Sequence, residues 1–225
     1  MTRSHAVPAV VMVLAACAAA AGAQADTATS KVMGSITIDA NQKSGDLSTV
    51  NGSIHIGEGA VVGHASTVNG GITVVQHATV AGLTTVNGSI HLREGARVSG
   101  GISTVNGGLT LENGTDVAQA LSNVNGSIHV AAAHVGGLID TVTGDIDLGP
   151  NAHVDGGIHM QQDTSWFHLW FWSEDVPRVV VRAGSVIGGT LKFERKVKLY
   201  VSDRATIGPV EGATVVKFAG EEPPK

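Results

Sequence analysis

Histidine has more chemistry to offer than any other residue in this chain, as acid, base or metal ligand, and there are ten of them. Whether they act depends on whether they converge. His55, His91 and His129 each stand between two aliphatic residues, in Ile-His-Ile, Ile-His-Leu and Ile-His-Val, while Thr73 and Thr110 hold the same place in alternate segments. If the segments stack at the strand spacing of about 4.8 Å, successive histidines of this column lie roughly 10 Å apart. A metal holds its imidazole nitrogens at about 2 Å, so these histidines cannot share one. His134 and His153 are expected to be closer, about one strand spacing apart, because both fill the middle of an Ala-His-Val triplet in consecutive segments. They have no nearby cysteine and no defined third ligand, and their column also holds Val61, Thr79, Arg97 and Asp116. The reading is a solvated surface column, with no metal assigned.

Nucleophilic and phosphate chemistry find no foothold. No serine sits in a nucleophile elbow, no carboxylate pair stands apart from the repeat, and no glycine loop precedes a helix. The expectation is a protein that is not an enzyme and that carries no cofactor.

Aromatic chemistry is concentrated in one place. All three tryptophans and two of the four phenylalanines lie in Trp166-Phe167-His168-Leu169-Trp170-Phe171-Trp172, inside a non-repeating insertion over 161–175. Two roles fit it. As a flap it covers the side or end of an apolar core. Left exposed, Trp166, Phe167, Trp170, Phe171 and Trp172 make a platform for a protein, a carbohydrate or a membrane interface.

The elements that position these residues follow from an internal repeat. Thr-Val-Asn-Gly occurs at Thr49, Thr67, Thr85 and Thr104, then as Asn-Val-Asn-Gly at Asn123 and Thr-Val-Thr-Gly at Thr141, in steps of 18 or 19 residues. Such a period is too short for a pair of helices or a propeller blade. Within it, Ile54, Ile56, Ala60 and Val62 set an apolar spacing of two, four and two that recurs at Ile72, Val74, Ala78 and Val80 and in later periods. Spacing of two is strand alternation with one buried face. A further apolar position, such as Leu47, Ala65 or Leu83, closes each period. The fold class is therefore all-β: a single-stranded, three-sided β-helix (β-solenoid) of about nine coils of 18–20 residues, running over 26–218 and interrupted once, at 161–175. Its first coil places Gln42 and Ser44 at inward positions, as a polar cap. Asn51, Asn69, Asn87, Asn106 and Asn125 are expected to stack at one corner, where Asn-Gly suits a tight turn with positive φ and the amides can form a ladder; the alternative is an exposed turn chosen only for its backbone geometry.

Residues 1–25 read as a signal peptide, with Arg3, an apolar run over Ala6 to Leu14, and Ala23-Gln24-Ala25 as cleavage site. An alternative route is present in Leu14-Ala15-Ala16-Cys17, a lipobox-like string in which Cys17, the sole cysteine, is the lipidation site. The protein is expected to be exported, periplasmic or attached to the cell envelope. Either route leaves a mature chain without a disulfide, although export permits one. It also leaves no transmembrane span.

Removal of Arg3 lowers the basic count from 14 to 13, against 19 acidic side chains, so nothing points to nucleic acid. Eight of the basic residues fall between Arg178 and Lys217. They suit either a solvated outer surface or contact with anionic envelope polymers. Residues 219–225 read as a disordered tail.

The Gly-x-Ile blocks with Thr-Val-Asn-Gly resemble two kinds of bacterial sequence, over Lys31 to Met160 and again over Val179 to Phe218. One is the bactofilins, polymer-forming cytoskeletal β-helices; the other is an adhesin-like repeat domain of unknown function. The resemblance implies a structural or adhesin-like solenoid of the cell envelope that self-associates end to end or contacts envelope components. Two features depart from the bactofilins: the export signal, and the aromatic insertion. With that insertion as binding site, the alternative is a module for an envelope glycan or lipid.

Overall fold

The computed structural model describes residues 27–162 and 176–223. They form a parallel β-solenoid of about ten turns, with no helix among the described residues. One face carries ten strands, from Ile36–Ile38 through Ile54–Ile56 and Ile72–Val74 to Val215–Phe218, each parallel to the next. The count runs one beyond the nine coils expected, because Val215–Phe218 adds a strand against Lys198–Ser202.

Register on this first face places Ile36, Ile54, Ile72, Ile90, Leu109, Ile128, Ile146, Val179 and Leu199 in a single column. None of them is more than 2% exposed. Alternation puts the next residue outward and the one after it back in the core, as in Ile54-His55-Ile56. Following the corner, the second face begins with a small buried residue, Ala60, Ala78, Ala96, Thr115, Ala133, Ala152 or Ser185, beside a buried valine or isoleucine. The two hydroxyls in that series are paired, Thr115 Oγ1 donating to the Glu112 carbonyl at 2.9 Å and Ser185 Oγ to the Gly149 carbonyl at 2.7 Å.

The third face holds Leu47, Ala65, Leu83, Ile102, Leu121 and Ile139 inward, and beside them a second, polar column. Thr49, Thr67, Thr85, Thr104, Asn123 and Thr141 are each at most 3% exposed. A buried hydroxyl costs stability unless it is paired. Thr49, Thr67, Thr85 and Thr104 donate to the carbonyls of Gly34, Gly52, Gly70 and Gly88, at 2.9 to 3.2 Å.

The asparagines stack as expected. The side-chain amide of Asn69 donates to Asn51, Asn87 to Asn69, Asn106 to Asn87 and Asn125 to Asn106, at 2.9 to 3.1 Å, and the Thr143 hydroxyl caps the last acceptor. The glycines after them serve a different purpose from the one expected. Among these corner glycines only Gly34, Gly126 and Gly144 adopt a positive φ. What the corner requires instead is close approach: a Cβ on Gly70 would lie 2.0 Å from the Gly52 carbonyl oxygen, and on Gly88 2.1 Å from that of Gly70.

The first coil departs from its expected cap. Ser44 is half-buried, but Gln42 is exposed, its Oε1 accepting from the Asp39 N–H at 3.2 Å. Below the corner, Thr29–Met33 stacks on Leu47–Asn51. Across the insertion the stack does not slip: Ile146 pairs with Val179 and Leu148 with Val181, and on the third face Met160 pairs with Phe193.

Candidate functional site

Outward positions of the later coils bring histidines and carboxylates together on all three faces. Strand stacking is the cause, since it sets the middle residues of successive coils side by side.

The densest group is on the second face. Asp116, His134 and His153 occupy one outward column, each in register with the next. Asp155 follows His153 by two positions and so points the same way. His134 Nδ1 lies 2.7 Å from Asp116 Oδ1 and its Nε2 3.1 Å from Asp155 Oδ2. His153 Nε2 lies 2.9 Å from Asp155 Oδ1, and the two imidazole centroids are 5.6 Å apart. Hydrogen bonds donated to Asp116 and then to Asp155 hold the His134 imidazole above its ordinary pKa. The same bond to His134, with His153 adding to it, pulls the Asp155 carboxyl below the usual range. One carboxylate thus bridges two imidazoles while a second orients one of them.

A related group sits on the third face. His159 Nδ1 is 3.1 Å from Asp140 and its Nε2 3.3 Å from Glu194, which Lys192 Nζ also approaches at 2.6 Å. Gln161 donates to the other oxygen of Asp140. Burial raises the Asp140 pKa, whereas Lys192, and after it His159, lowers Glu194 to about 2. A lysine already neutralises this group.

On the first face His129 is 3.5 Å from Asp147, and Arg182 binds both oxygens of that carboxylate at 2.9 and 3.1 Å. Arg182 also donates to the Glu221 carbonyl, and Arg178 lies over the Tyr200 ring at 5.0 Å. Several of the late basic residues are thereby tied to neighbouring coils. Arg195, for one, donates to the Val142 carbonyl at 3.0 Å. His55 and His91 stand two coils apart, with Thr73 paired between them.

A fourth feature is apolar. The valine of each Thr-Val-Asn-Gly string faces outward beside the asparagine ladder, and Val32, Val50 and Val68 are exposed in consecutive coils. The corner thus offers a narrow ridge of valines next to a polar ladder.

Of the site residues expected from sequence, Trp166, Phe167, Trp170, Phe171 and Trp172 lie outside the described residues, as does Cys17. The flanks of the insertion are described. It leaves the stack between Met160, inward on the third face, and Val179, inward on the first. Among the described residues no helix is long and apolar enough to cross a membrane. Asp155 was the residue missing from the sequence reading of the histidine pair. Its signal was present in the alternation of His153-Val154-Asp155, carried one step beyond the triplet. Comparison of the chain with family models, curated proteins and solved structures yields no match.

Proposed function

We propose that this protein is a non-enzymatic structural solenoid exported to the bacterial cell envelope. It is adhesin-like in presenting a rigid, periodically patterned surface, and it assembles end to end. The observation that carries this reading is the open strand edge at each end of the stack. Thr29–Met33 pairs only with Leu47–Asn51 among the described residues, and Val215–Phe218 only with Lys198–Ser202. Unpaired edges template further strands, and a head-to-tail contact that does not close generates a filament. The first strand also exposes Val32 at 71% and Met33 at 78%, where natural edges tend to carry charge. The bactofilin-like and adhesin-like character of the repeat strings agrees with this reading.

Sedimentation velocity over a wide concentration range tests it. The weight-average mass should rise with concentration, and replacing Val32 and Met33 with lysine should hold the protein as a monomer. A wild-type chain that stays strictly monomeric rejects the assembly.

A second reading rests on the unbroken register across the insertion. The Ile146 to Val179 ladder is complete without residues 163–175, so that segment is available for another task. Binding of an envelope glycan or lipid through Trp166, Trp170 and Trp172 suits its composition. Alanine at all three positions should abolish binding to isolated envelopes; unchanged binding rejects this reading.

A further inference from the structure

We propose that His134, His153 and Asp155 form a surface binding site for a late first-row divalent cation, with Zn²⁺ as the representative ion, and that Asp116 positions His134 within it. The site is independent of the assembly proposed above.

The argument starts from the spacing of the donor atoms. Nitrogen and carboxylate ligands sit at about 2.0 to 2.2 Å from Zn²⁺, which puts tetrahedral ligand atoms roughly 3.3 Å from one another. Here both imidazole Nε2 atoms already face the two oxygens of one carboxylate, at 3.1 and 2.9 Å. One ligand atom from each of the three residues falls within 4.8 Å of the other two. Small side-chain rotations close that triangle around an ion, since all three side chains are between 42% and 50% exposed and have room to turn.

The backbone beneath them does not have to move. Stacking hydrogen bonds pin each ligand position: His134 N–H to the Thr115 carbonyl, His153 N–H to Ala133 and Asp155 N–H to Val135, at 2.8 to 2.9 Å. Adjacent-coil register fixes the distance between the two histidines. A site built on rigid strands keeps its geometry better than one on a loop.

Asp116 supplies the second half of the arrangement. Its carboxylate is 2.7 Å from His134 Nδ1, so when an ion takes the place of the proton that Nε2 shares with Asp155, the remaining ring proton stays on Nδ1 and the Nε2 lone pair is free for the metal. This is the carboxylate–histidine–metal relation that orients ligands in metal sites generally. Two imidazoles with one carboxylate select zinc, nickel or copper over magnesium and calcium, which take all-oxygen shells. Three protein ligands leave a position open to water or to a ligand from outside.

Among the described residues the other histidines lack this combination. His55 and His91 are separated by a full coil, and the His159 group contains the ammonium of Lys192 at 2.6 Å from Glu194.

Calorimetric titration of the untagged protein with Zn²⁺ at neutral pH tests the proposal. It should show one site, and Mg²⁺ should give none. His153→Ala and His134→Ala should each weaken Zn²⁺ binding at least tenfold. Asp116→Asn, which keeps every ligand, should weaken it by about tenfold. The double variant His91→Ala/His129→Ala should bind as wild type. Loading with Co²⁺ gives an independent readout, the strong visible absorption of a four-coordinate ion, which His153→Ala should remove. His91, His129 and His153 are exposed and Asp116 and His134 half-buried, none of them in the core, and circular dichroism verifies the fold of each variant. Zn²⁺ binding that is absent, or that survives His134→Ala and His153→Ala but falls with His91→Ala/His129→Ala, overturns the site.

Discussion

At the scale of single residues, the polar column inside the third face sets the terms. Each threonine there fits the strand, being β-branched; Thr49, Thr67, Thr85 and Thr104 return their hydroxyls to glycine carbonyls, and Thr141 donates to the Thr143 carbonyl at 3.2 Å. Asn123 breaks the series. Its Nδ2 donates to the Gly126 carbonyl at 2.6 Å, but its Oδ1 is buried with no hydrogen-bond partner. An orphaned buried acceptor costs about 1 to 3 kcal/mol. The positions stacked on either side of Asn123 are Thr104 and Thr141, so a threonine conformer already fits above and below. Asn123→Thr should therefore stabilise the protein by about 1 kcal/mol. In urea the unfolding midpoint should move up at constant slope; an unchanged or lower midpoint would show that the orphaned oxygen is not the controlling cost.

At the scale of the element, the corner explains why Thr-Val-Asn-Gly recurs as a unit. Threonine satisfies the inward carbonyl, asparagine ties the coil to its neighbour, and glycine admits that neighbour's backbone. Sterics and backbone conformation predict different outcomes here. A Cβ at Gly88 would sit 2.1 Å from the Gly70 oxygen, so Gly88→Ala must prise two coils apart and should cost roughly 3 kcal/mol. Gly34 has φ +99° but nothing within 4 Å of its missing Cβ, so Gly34→Ala should cost only about 1 to 2 kcal/mol for the left-handed backbone. Thermal unfolding of the two variants compares them directly, and equal losses would refute the steric account. This contrast also marks what could be read from the sequence. The inward aliphatic pairs, such as Ile72 and Val74, were legible because alternation needs no knowledge of the neighbouring coil, and the asparagine ladder followed from the period. The purpose of Gly52, Gly70, Gly88 and Gly107 was not legible, because it depends on how near the next backbone comes. The inward setting of Thr49 and its equivalents was not legible for a related reason: threonine suits either face of a strand, and only the stacked carbonyl makes it an inward residue. Asp155 was hidden by its setting, since Val154-Asp155-Gly156 reads as a corner rather than as the continuation of an outward column.

At the scale of the whole molecule, the question is what the insertion does to a stack that ignores it. In a quasi-one-dimensional fold each coil is held by its two neighbours, and here Ile146 meets Val179 as directly as Ile128 meets Ile146. Deleting residues 163–175 would leave Met160 and Val179 six positions apart, against five between their stacked equivalents Thr141 and Ile146. The shortened corner therefore spans the same gap as the coil beneath it. The deletion variant should fold, keep its β-sheet circular dichroism, and melt within about 4 °C of the parent, the shift that about 1 kcal/mol produces in a chain of this size. It should also retain the proposed concentration-dependent assembly, because the first and last described strands, Thr29–Met33 and Val215–Phe218, are untouched. A flap that seals the core predicts the opposite, since stripping apolar cover from buried aliphatic columns costs about 25 cal/mol for every Å² exposed. A fall in melting temperature well beyond 4 °C would assign the tryptophans to the core. Preserved stability with lost envelope binding would assign them to a partner, leaving the solenoid as the rigid mount that carries them.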